Sequence, residues 1–215
     1  MTDTQPANGQ ARRAFWLKHL HQWHWISSAI CLIGMLLFAL TGFTLNHAGQ
    51  IEAKPRVESR NATAPHSLLD TLKAARDGAS KDARVPVPAA LSAWLSEALG
   101  VDASGREAEW QGDELYVALP RPGGDAWVSV ALDSGETQYE LTTRGWISYL
   151  NDLHKGRNTG RAWSLFIDAF ALACLVFSIT GLFLLKLHAG GRVATWPLVG
   201  LGVVVPLLLA ILFIH

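Results

Sequence analysis

Residues 26–45, ISSAICLIGMLLFALTGFTL, carry no charge. A helix needs about 20 apolar residues to cross ~30 Å of hydrocarbon, and a helix apolar on all sides has no face to offer water. The stretch reads as a membrane span. It is longer than the h-region of a signal peptide, about 7–15 residues, and it ends in TLNHAGQ rather than a small-residue cleavage site, so a retained span is expected. A second run covers residues 169–185 and extends outward to Trp163, which places Asp168 one to two turns inside. A third covers residues 196–214. Pro197 suits its first turn, and Pro206 implies a mid-span kink that neighbouring helices accommodate.

Half of the chain is hydrophobic and only 17% is charged, with the apolar residues in blocks, as in a membrane protein with one modest soluble domain. Zero net charge leaves no basic footprint for nucleic acid. Cys31 and Cys174 both lie in apolar blocks and no CxxC occurs, which argues against disulfides, thiolate zinc sites and covalent haem attachment. Arg12, Arg13, Lys18, Lys186 and Arg192 flank the spans on one side. By the positive-inside rule the N-terminus is cytoplasmic, and Trp23 and Trp25 fall where an interfacial aromatic belt belongs.

Between the first two spans the chain turns polar. After a linker containing Pro and charged residues, Leu68, Leu69, Leu72 and Ala75 recur at helical spacing within residues 66–79. A second helix fits residues 88–99, with Gly100 as its stop. The period then changes to two. Residues 107–110, 114–119, 126–132 and 136–141 read as strands separated by the hairpin chemistry of QGD, RPGGD and DSGE. The expected architecture is a membrane α-helical protein with three transmembrane helices and a small α+β domain inserted between the first and second. Its segments are a cytoplasmic residues 1–22 whose polar first 11 residues look disordered, spans at 23–47, 162–187 and 195–215, an outer domain with linkers at 48–161, and a cytoplasmic loop at 188–194.

The spans contain a repeat. LLFALTGFTLNHAG at residues 36–49 matches LVFSITGLFLLKLHAG at 175–190, each with a Thr-Gly pair and a later His-Ala-Gly. A Leu-His pair precedes each copy, Leu20-His21 and Leu153-His154. One copy runs outward and the other inward, an inverted topology familiar in membrane proteins. His47 and His154 are therefore expected at the outer face, and His21 or His24 with His188 at the inner face.

These same residues carry a resemblance to the PepSY-associated transmembrane helix family, in its small version with one PepSY-like domain. The matching features are His21-Gln22-Trp23 before a span ending in Thr41-Gly42, then Leu153-His154-Lys155-Gly156 before a span ending in Thr180-Gly181. VSVALDSGETQ is similar to the PepSY hairpin. The resemblance implies a bacterial inner-membrane protein with its soluble domain in the periplasm. Some relatives are b-type haem reductases that pass electrons to ferric siderophores. Larger relatives have four spans and two PepSY-like regions, which implies that what the missing half supplies is either absent or comes from a partner membrane subunit or a second copy. Isolated PepSY domains resemble inhibitory propeptide regions of peptidases.

Haem b is held without covalent bonds, often by two neutral imidazoles on facing helices. The expected iron ligands are His24 with His188 and His47 with His154. His21 is the alternative inner ligand, the one that the family motif favours, and Asn46 and Thr180 are candidate hydrogen-bond partners for the ligands. His24 and His47 are 23 residues apart, about 35 Å along a helix, so two haems would stand at opposite edges of the bilayer. His19, His66 and His215 fall outside the repeat. The bland reading of the same histidines is interfacial hydration, and of Gly42 and Gly181 close helix approach. Asp168 either lines the bundle or snorkels outward. Ser, His and Asp are too scattered for a triad, and no Gly-rich phosphate fingerprint is present, so an electron donor would be external. The sequence thus supports a haem b electron-transfer component, a candidate ferric-siderophore reductase acting with a periplasmic redox or iron-uptake protein. The alternative is a non-redox membrane protein whose PepSY-like domain binds or regulates a periplasmic partner such as a peptidase.

Overall fold

The computed structural model describes residues 5–51, 54–77 and 84–214, the side chains of residues 5–8 excepted. His215, the first four residues and the Gly78-Ala79 end of the expected first soluble-domain helix lie outside the described residues. Two compact units divide the chain at residues 36/37 and 166/167.

One unit contains the first part of α1 (Gln5–Asn46), most of α5 (Gly160–His188) and α6 (Thr195–Phe213). All three helices are long and apolar enough to cross a membrane, with mean hydropathy of at least 2.2 in their most apolar windows. Their leucines, isoleucines and phenylalanines are largely exposed, which is tolerable in lipid and not in water. From Gln5 onward the segment expected to be disordered is helical. Once a span is formed, each residue added to its end costs only propagation and not nucleation. Gly34 fixes the approach of α1 and α5, because a Cβ there would clash with the Phe170 ring. Cys31 and Cys174 are free thiols in this unit, Cys31 fully buried.

The other unit is built on a six-stranded antiparallel sheet of order β1-β6-β5-β4-β3-β2. Its strands are β1 (Arg56–Thr63), β2 (Arg84–Pro86), β3 (Glu107–Gln111), β4 (Glu114–Ala118), β5 (Gly124–Ala131) and β6 (Glu136–Thr143). Alternation sends Ala108, Trp110, Leu115, Val117, Val128 and Val130 to one face, where Leu68, Leu69 and Leu72 of α2 (His66–Asp77) and Leu91, Leu95 and Leu99 of α3 (Ala89–Leu99) cover them. Gly100 ends α3 in the left-handed conformation, with its N–H on Ser96 and that of Val101 on Leu95, a closure that satisfies the last carbonyls. The linker expected before α2 is instead the edge strand β1, paired with β6 over eight residues.

Candidate functional site

The return segment to the second apolar run folds as α4 (Gly145–Lys155), and its seating determines where His154 points. Gly123, at φ +72°, leaves room for the Tyr149 backbone, which a Cβ would meet at 2.7 Å. The Gly123 N–H donates to the Asp152 carboxylate at 2.8 Å, and its carbonyl accepts from the Arg144 N–H at 2.8 Å. Trp163 Nε1–H donates to the Leu153 carbonyl at 2.9 Å. Pinned at both ends, α4 presents Asn151 and His154 to residues 38–44 of α1. The Thr44 hydroxyl donates to Asn151 Oδ1 at 2.8 Å, and His154 Nδ1 lies 2.7 Å from the Thr41 hydroxyl.

The direction of that last bond depends on the His154 tautomer. The tautomer with its hydrogen on Nδ1 fits a Thr41 hydroxyl that donates to the Leu37 carbonyl at 2.9 Å and accepts from His154. The ring also lies 4.9 Å from Phe38, and a Cβ on Gly42 would come within 3.5 Å of its Cε1. His154 is half-buried, and among the described residues its Nε2 makes no hydrogen bond.

The same arrangement recurs in the other unit. His24 Nδ1 lies 3.1 Å from both the Phe177 carbonyl and the Thr180 hydroxyl. A carbonyl only accepts, and Thr180 gives its own proton to Val176 at 2.7 Å, so His24 also carries its hydrogen on Nδ1. Its ring stacks on Phe177 at 4.6 Å, and a Cβ on Gly181 would stand 3.2 Å from its Cε1. Each Thr-Gly pair of the repeat therefore seats a histidine that lies upstream of the other copy: the threonine hydroxyl meets Nδ1 and the glycine admits the ring edge.

The remaining histidines differ. His19, His21, His47 and His188 each bond Nδ1 to the carbonyl four residues back on their own helix, at 2.8–2.9 Å. His21 and His188 stand with ring centroids 5.7 Å apart and planes nearly perpendicular. His47 rests 4.4 Å from Phe43, while His154 uses Thr41. Asn46 makes no hydrogen bond to a histidine among the described residues. Asp168 is exposed on α5, outside any ion pair among the described residues, and His66 is exposed at the start of α2. No group of three or more His, Cys, Asp or Glu is placed to hold a bare metal ion among the described residues. What the sequence did not reveal is Thr41 as the acceptor for His154, and Phe177 and Phe38 as ring contacts. The Thr-Gly repeat was the signal, but not which helix it faced.

Three membrane-length apolar helices and a six-stranded antiparallel sheet backed by two helices define a membrane protein with a PepSY-like α+β domain. A protein-family model described as PepSY_TM-like matches residues 15–215. The chain belongs to that family. No curated protein matches it, and no solved structure does.

Proposed function

We propose that this protein is a haem b-binding electron-transfer component of the bacterial inner membrane, serving the reduction of ferric-siderophore or related iron substrates on the periplasmic side. One observation carries the reading: two imidazoles each place Nδ1 at a threonine hydroxyl of the repeat, with no hydrogen bond on Nε2 among the described residues. Histidines that ligate iron are held in this way, since a hydrogen bond at one nitrogen fixes the tautomer and raises the basicity of the other. The donors present therefore fit a haem in kind. His24 and His154 are the principal ligands, with His188 or His21 opposing on the inner side and His47 on the outer. A bound haem would supply one-electron chemistry. The chain's own part is to orient the imidazoles, with His24 and His154 half-buried.

The orientation in this proposal is N-terminus cytoplasmic and soluble domain periplasmic. Reporter fusions at Gly100 and Gly190 should report periplasmic and cytoplasmic exposure respectively, and the reverse would overturn it. Purified in detergent from cells supplied with haem, the protein should show a b-type spectrum that dithionite shifts. Colourless protein would favour a second reading, that the PepSY-like domain docks a periplasmic partner such as a peptidase. That reading has its own support in the open face of the sheet. There Glu114 and Glu136 border a concavity of about 390 Å³ whose floor includes Tyr116 and Trp127. Burial first, and then Asp125 and Glu109, push the Tyr116 phenol above its ordinary pKa, and the carboxylates of Glu114 and Glu136 suit a basic segment of a partner.

A further inference from the structure

At the N-terminal end of α1, residues Arg12, Arg13, Trp16 and Leu20 share one face at helical spacing. Phe183, Lys186 and Leu187 share a face of α5 by the same rule. Together they enclose a groove of about 530 Å³ with an apolar floor and a cationic rim. Trp16 is 54% exposed and Phe183 53%, so both rings are open to an incoming chain. Among the described residues the rim charges have no ion-pair partner. Residues 9–36 and 169–214 contain neither Asp nor Glu, and the ion pair found among the described residues is Arg76–Asp113, in the other unit.

We infer that this groove is a binding site for one anionic phospholipid, its phosphate held by Arg12, Arg13 and Lys186 and its upper acyl region against Trp16, Leu20 and Phe183. Charge complementarity selects the occupant. Three cations without carboxylates at the end of two membrane-length helices meet the anionic headgroup layer, and guanidinium groups bind phosphate oxygens in a bidentate fork that a zwitterionic choline headgroup partly neutralises. A tryptophan beside them belongs at headgroup depth. The apolar floor separates a lipid from a free phosphate, which would use only the rim.

The test uses the full chain in neutral detergent, titrated with phosphatidylglycerol or phosphatidylcholine and read by native mass spectrometry as lipids retained per chain. Phosphatidylglycerol should saturate at one per chain and bind at least ~10-fold more tightly than phosphatidylcholine. Combined Arg12→Gln, Arg13→Gln and Lys186→Gln should weaken it by roughly 100-fold, on the scale of about fivefold per surface cation. Combined Lys18→Gln and Arg192→Gln, which remove charge at the same end but outside the groove, should change it by less than about threefold. Trp16→Ala leaves the charge intact and should still weaken retention, which keeps the proposal testable if the triple variant misfolds. Equal retention of the two lipids, non-saturating uptake, or equal losses from the Lys18/Arg192 variant would overturn it. So would displacement by millimolar inorganic phosphate together with indifference to Trp16→Ala, since that result describes a phosphate site.

Discussion

Thr41→Val and Thr180→Val are the same substitution at equivalent positions of the repeat, yet they should differ in cost. Valine keeps the branched shape and nearly the helix propensity of threonine, and both variants lose a hydroxyl bonded to its own helix. The difference lies in the histidine. In Thr180→Val, His24 retains the Phe177 carbonyl at 3.1 Å, so its N–H stays satisfied and the loss is about 0.5–1 kcal/mol. In Thr41→Val, the half-buried His154 loses the acceptor it has at 2.7 Å, and an unsatisfied donor there costs about 1–3 kcal/mol. A difference of about 1 kcal/mol in a chain of this length is a Tm gap of roughly 2–4 °C, readable by circular dichroism of the detergent-solubilised protein. Nitrogen-15 histidine spectra should show Nδ1–H tautomers for His24 and His154 in the haem-free chain. A Thr180→Val variant as damaged as Thr41→Val, or an Nε2–H tautomer at either histidine, would refute the reasoning.

In the soluble domain, Leu95→Ala empties a fully buried site and should destabilise it by about 2–5 kcal/mol, seen as faster hydrogen exchange in α3 and β4. Gly34→Ala should lower the Tm, because its Cβ would clash with the Phe170 ring and overpacking costs about 1–3 kcal/mol. Gly200→Ala, with nothing within 4 Å, should leave it unchanged or raise it. The Ser104 hydroxyl and N–H both bond the Asp102 carboxylate and hold its pKa below the ordinary 3.8. Its contribution to stability is therefore present above the unfolded pKa and lost as pH falls through the lower folded value. Ser104→Ala should move the Asp102 titration, followed by NMR, back up.

The spans and the four hairpin strands were legible because each writes its own environment into its period. Residues 26–45 lack any polar face, and β5 alternates from Gly124 to Ala131. Strand β1, RVESRNAT, has no such pattern, being exposed along nearly its whole length. What recruits it is the unpaired backbone of β6, and its charges suit an edge. Strand β2 is only three residues long. α4 is amphipathic against a surface formed by Gly123 and Thr41, residues remote in sequence, so its face had no local reason to be read. The histidines themselves were legible from the repeat. Their partners were not, because a Thr-Gly pair looks the same whether it receives a helix or an imidazole.

The central claim is that His24 and His154 offer free Nε2 atoms to haem iron, and the direct measurement is haem content by pyridine extraction alongside the reduced spectrum. In wild-type protein from haem-replete cells the account predicts extractable b-type haem. His24→Ala and His154→Ala should each remove a spectral component, while His19→Ala and His66→Ala change nothing. A colourless wild-type protein, or a haem spectrum unaltered in both His24→Ala and His154→Ala, would contradict it.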